Sequence, residues 1–225
     1  MQARYELARI ALREAPYNDA SICEPLRAAF GVDDAAVSTL ARPFDIRMVC
    51  VAGDLAAPFG ELQIDLGEGP AWDAFRLQAP VLSTALPDET RWPILSDRMG
   101  AMRIGSVYAF PLSAGFLDIG TLCLTSASRR EFDAGQVEAA AELAPLAAAA
   151  VLARAMRDDP TQDSRPPSTY SLREVHQATG MVAAQMSVPP DDALTAIRAH
   201  AYATSRSVRD VAADIVARRI DLSHE

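Results

Sequence analysis

Apolar residues recur at steps of three and four over residues 2–15 and 21–30, which predicts two short N-terminal helices. AAVSTL (35–40) and DIRMVCVAG (45–53) then alternate or run apolar, as strands do. A loop at Leu66–Pro70 precedes a short helix, PVLSTAL (80–86) reads as a strand, and Trp92–Met102 as a helix opened by a proline. SVYAFPL and DIGTLCLTS form an adjacent strand pair joined by a Ser-Ala-Gly turn. A long helix over Asp133–Arg157 follows, with Val137, Leu143, Leu146, Ala147 and Val151 available to cover the sheet and to form a subunit seam. This order predicts an α+β sandwich with an antiparallel sheet.

The rest of the chain is purely helical in pattern. DDPTQDSRPPS (158–168) is polar and proline-rich, so residues 1–157 and 169–225 are expected to be separate domains joined by a linker at 158–168. Leu172, Val175, Thr179, Val182 and Met186 line one stripe of a first helix. Arg173, Gln177, Gly180, Met181 and Ala184 lie opposite, and a glycine mid-helix predicts a packing or contact reason for Gly180. Pro190 opens a second helix, with Ala193, Leu194, Ile197 and Ala201 inward and Arg198 and Tyr202 together on another face, one turn apart. Ser207 followed by Asp210 caps a third, whose inward positions are Val208, Val211, Ala212 and Ile215.

The chain carries a formal charge of −9, which argues against nonspecific coating of nucleic acid. From Tyr170 to Leu222, however, six arginines balance six carboxylates, so any nucleic-acid contact there needs a local arginine face. Every side-chain cation is arginine or histidine; lysine is absent. No metal-ligand spacing is visible, and all three histidines (His176, His200, His224) lie C-terminal, so the N-terminal domain has none with which to ligate haem. No cofactor is expected. Cys23, Cys50 and Cys123 sit in apolar surroundings and read as reduced core thiols of a cytoplasmic protein. No signal-peptide pattern is visible, and the apolar run Leu143–Ala153 is too short to span a bilayer.

EVHQATGMVAAQMSV followed by DDALTAIRAHAYATSRSVRDVAADIVARRIDL resembles an ANTAR domain, the RNA-binding module of bacterial antitermination regulators. LQIDLGEGPAWDA from Leu62, ETRWPILSDRMGAMRIGSVYAFPL from Glu89 and DIGTLCL from Asp118 resemble the GAF sensor domain often found upstream of it. The resemblance implies a noncatalytic regulator that captures paired stem-loops in nascent RNA, acting as a homodimer. RNA recognition by stacking and phosphate contact suits Arg173, Gln177, Arg198, Tyr202, Arg206 and Arg209. In the sensor domain Trp72, Trp92, Tyr108 and Phe110 are the candidate lining of a pocket for an unknown small-molecule ligand, although aromatics in a sandwich are more often core. Two rival functions are a DNA-binding regulator built on three helices and a GAF-fold thiol reductase using the cysteines.

Overall fold

The computed structural model describes residues 2–17, 21–40, 44, 46–100, 102–157, 173–204 and 206–222. The chain divides into two units, Met1–Ser168 and Thr169–Glu225. The expected linker at 158–168 lies outside the described residues, as do Leu172 and His224.

In the first unit, β1 (Asp34–Thr39), β2 (Arg47–Ala52), β3 (Val81–Ser83), β4 (Ser106–Ala114) and β5 (Leu117–Ser126) form one sheet in the order β2-β1-β5-β4-β3. Each neighbouring pair is antiparallel. Side chains alternate across a strand, and here the alternation assigns two cores. Ala35 and Val37 of β1, Tyr108, Phe110 and Leu112 of β4, and Leu122 and Leu124 of β5 meet α1 (Gln2–Glu14), α2 (Cys23–Phe30) and α6 (Ala134–Arg157) through Leu12, Leu26, Phe30, Leu143 and Ala147. On the other face Ala36, Ser38, Cys123 and Thr125 look toward α3 (Ala56–Leu66) and α4 (Pro70–Leu77). A short α5 (Pro93–Arg98) packs on α3.

Several features depart from expectation, among them the strand expected over 80–86, which covers only Val81–Ser83, and the helix expected over 92–102, which covers only Pro93–Arg98. The pattern did not reveal α3, because Pro58 and Gly60 look like breakers; Pro58 falls in the first turn, where proline is tolerated. The β4–β5 strands run on past the expected Ser-Ala-Gly turn: Ser113 pairs with Asp118 and Ala114 with Leu117, leaving Gly115 and Phe116 to make the reversal. Cys23 and Cys50 are joined by a disulfide, which corrects the reading of three reduced thiols. They are 27 residues apart in sequence, and only the packing of α2 across β2 brings them together. By length and composition α6 could cross a membrane, but Leu143, Ala147, Ala150 and Val151 bury its inner stripe against the sheet.

In the second unit α7 (Arg173–Met186), α8 (Pro190–Ala203) and α9 (Val208–Val216) pack pairwise on one another. Val175, Ala178, Val182, Ala193, Ile197, Ala201, Val208, Val211, Ala212 and Ile215 are buried, so the stripes read from the sequence close this core. Thr179 is buried too and satisfies its hydroxyl by donating to the Val175 carbonyl at 2.7 Å. Met186, the last residue of the expected stripe, is instead 39% exposed. The Ser207 hydroxyl accepts from the Asp210 N–H at 3.0 Å and caps α9.

Candidate functional site

The GEGP stretch, Gly67–Pro70, is a junction of three helices. Gly67 adopts the left-handed conformation that ends α3, and Pro70 opens α4. Between them, Glu68 accepts the N–H groups of Ile94 and Leu95, each at 3.0 Å, and so caps α5 from 26 residues away. Gly69 has φ of 127°, and a Cβ there would lie 2.8 Å from the Gln63 side chain. The motif therefore fixes how α3, α4 and α5 lie over the sheet.

Beneath these helices is a small cavity of about 10 Å³, the size of a single water. Its polar lining comes from Asp34, Ser38, Gln63 and Thr125, with Met48, Phe59, Gly60 and Cys123 beside them. Asp34 accepts the Leu55 N–H at 2.8 Å and the Thr125 hydroxyl at 3.3 Å, while Gln63 accepts the Ala71 N–H at 2.9 Å. Burial pushes the Cys123 thiol up to about 12. Met48 closes the space: a Cβ on Gly60 would come within 2.5 Å of its methyl and 2.6 Å of its sulfur.

The four aromatic pocket candidates do not gather around this cavity. Tyr108 and Phe110 lie on the opposite face of the sheet, where Tyr108 stacks on Phe132 with ring centroids 3.7 Å apart and donates its hydroxyl to the Arg130 carbonyl. Trp72 and Trp92 are on the cavity side of the sheet but point elsewhere. The Trp72 indole donates to the Gln63 carbonyl and the Trp92 indole to the Asp73 carboxylate, both at 2.7 Å. Arg91 covers the Trp92 ring at 4.4 Å. Sequence reasoning missed Asp34 and Gln63; the available signal was a polar residue at a position whose neighbours in the pattern are buried.

In the helical unit the candidate residues fall into two groups. Arg206 and Arg209 are drawn into ion pairs. Arg206 binds Asp214 at 2.6 Å, Arg219 binds the other oxygen of the same carboxylate at 2.7 Å, and Arg209 sits 3.8 Å from Glu174, tying α9 to α7. The Arg206 hydrogen bond, with that of Arg219, holds the Asp214 carboxyl below its ordinary range. Gln177, Arg198 and Tyr202 form the second group. Gln177 is exposed on α7; Arg198 is half-buried and Tyr202 48% exposed, one turn apart on α8. Arg173 opens α7, and its side chain lies outside the described residues. Among the described residues no group of three His, Cys, Asp or Glu side chains could hold a metal.

A GAF domain family model matches residues 5–152, and an ANTAR domain family model matches residues 171–216. The chain belongs to the GAF domain family and carries an ANTAR domain. Among solved structures, the GAF unit is similar to the GAF domain of an Acinetobacter phosphoenolpyruvate-protein phosphotransferase (13% identity, TM-score 0.56), across 71% of this chain and 99% of that one. It is also similar to the GAF domain of a Coxiella burnetii phosphoenolpyruvate-protein phosphotransferase (17% identity, TM-score 0.55; 69% and 97% covered). A third is a free methionine-R-sulfoxide reductase from Neisseria meningitidis in complex with its substrate (19% identity, TM-score 0.50; 69% and 94% covered). These likenesses establish the fold. Comparison with curated proteins finds no match. A GAF sensor followed by an ANTAR domain is the architecture of a regulator.

The ANTAR unit also answers the question posed by Gly180. It lies on the exposed side of α7 and a Cβ there would meet nothing within 4 Å, so no packing within the unit requires the glycine. Gly180→Ala should therefore stabilise the ANTAR helices by about 1 kcal/mol, seen as a higher denaturant midpoint. A lower midpoint would mean that the face is covered by a neighbour.

Proposed function

We propose that the protein is a cytoplasmic transcription antitermination regulator, in which the ANTAR helices capture paired stem-loops in nascent RNA and keep a terminator hairpin from forming. The observation that carries this reading is the ANTAR match over three helices whose apolar stripes are buried on one another, while Gln177 and Tyr202 remain at the surface with Arg198 beside Tyr202. A tyrosine ring can stack on a splayed loop base, and a guanidinium one turn away can hold a phosphate or stack in turn. In this reading the domains are residues 1–157 and 169–225, with 158–168 as the linker between them. Two linked hairpins call for two modules, hence a homodimer. Capture is binding alone, with no bond made or broken.

The sensor domain acts as a regulatory input and not as a thiol enzyme. Two of its three cysteines are tied in a disulfide, and burial holds the third as a neutral thiol.

The deciding experiment is competition at fixed salt among a hairpin RNA, an unstructured RNA and duplex DNA, each offered to the full chain. The hairpin RNA should win by at least tenfold. Preference for duplex DNA would replace this reading with that of a DNA-binding regulator.

A further inference from the structure

The strand β2 lies at the edge of the sheet, hydrogen-bonded to β1 alone, and most of it is only half-buried. Its pairing slips between Val37 and Ser38: Val37 is opposite Cys50, but Ser38 is opposite Met48, so Val49 is an extra residue. Residues two apart on a regular strand share a face. The bulge breaks that rule, placing Met48 over the cavity beside Ser38 and turning Cys50 to the opposite face, toward α2. One short edge strand thus carries a side chain that lines the cavity and a covalent tie to the helical layer behind the sheet.

We propose that the Cys23–Cys50 disulfide is a thiol-reducible latch: it holds β2, and with it Met48, over the cavity, and its reduction lets that strand withdraw and opens the cavity. The proposal deepens the sensor reading by giving it a redox input, and it rests on that reading for its place in regulation. Disulfides in a reducing compartment are characteristically transient or redox-sensing. Cys50 is half-buried and Cys23 fully buried, so Cys50 is the more exposed half of the disulfide. A dithiol supplies the electrons. One of its thiolates attacks the Cys50 sulfur, the S–S bond breaks, and Cys23 leaves as a thiolate that takes up a proton. The second thiol of the dithiol then displaces Cys50, leaving two protein thiols and the oxidised dithiol.

Cys123 provides a built-in reporter, since it lines the cavity and is the free thiol of the oxidised chain. The full chain is alkylated with iodoacetamide before and after treatment with dithiothreitol, with labelling resolved by peptide mass spectrometry and backbone opening followed by hydrogen exchange. Reduction should raise the Cys123 alkylation rate at least tenfold and accelerate exchange over residues 47–52, while β4 and β5 keep their protection. The double variant Cys23→Ser/Cys50→Ser should show the faster labelling without reductant, and Met48→Ala should show it with the disulfide intact. The proposal is overturned if Cys123 stays as slow in the reduced chain as in the oxidised one, or if the folded chain resists the dithiol. It is equally overturned if protection collapses throughout the sheet, which would make the disulfide a staple of the whole fold. No RNA enters this assay, so its failure leaves the RNA-binding reading standing, and the reverse also holds.

Discussion

Removing residues 1–168 should lower affinity for an RNA carrying two linked hairpins by about 10²–10⁴-fold, the range that linking two binding modules contributes, while affinity for a single hairpin stays within a fewfold. The expectation comes from where apolar surface remains exposed. On α1, Leu7 is 68% and Ile10 47% exposed, and α1 packs along α6, whose stripe toward the sheet is already buried. The ANTAR helices bury their apolar stripes on one another, so the sensor unit is the better source of a subunit contact. Sedimentation of the full chain at micromolar concentration should give a dimer and that of residues 169–225 a monomer, with the loss of two-hairpin affinity running in parallel. A monomeric full chain that still holds the two-hairpin RNA tightly would remove the dimer from the mechanism.

The second large effect is expected on α8. Arg198→Ala and Tyr202→Ala should each weaken hairpin binding by about 1–3 kcal/mol, the worth of one base stacked on an aromatic or guanidinium plane, with the module still folded. Arg206→Ala and Arg209→Ala carry a second effect. Each breaks an ion pair within the ANTAR unit, to Asp214 or Glu174, so each should also lower stability, by up to about 1 kcal/mol for such partly exposed pairs. Binding equal to wild type in both α8 variants would move the contact face off this helix.

The ANTAR helices were largely legible in the sequence because a helix stripe is a local signal: Val175, Val182, Ile197, Val211 and Ile215 recur at the right steps and all are buried. Strands β4 and β5 were visible for the same reason. What a local pattern cannot show is which distant residue answers a polar group. Glu68 looked like part of a turn, yet it caps a helix 26 residues on. Trp72 and Trp92 looked like pocket walls, and their indoles instead satisfy partners in the helical layer. Tyr108 and Phe110 could be assigned a face only once the sheet order placed α6 and not α3 against them. Arg206 and Arg209 carry the charge of contact residues, and the fold sets Asp214 beside the first and Glu174 beside the second.

Those carboxylates have an effect beyond stability. With Arg206 and Arg219 both held by Asp214, and Arg209 beside Glu174, half of the module's six arginines meet an incoming phosphate already partly neutralised. Each phosphate contact a protein forgoes flattens the logarithmic dependence of affinity on salt by roughly 0.7 to 0.9. In the RNA-binding reading, such a module's affinity would change less steeply with salt than that of a module with all six arginines open to phosphate.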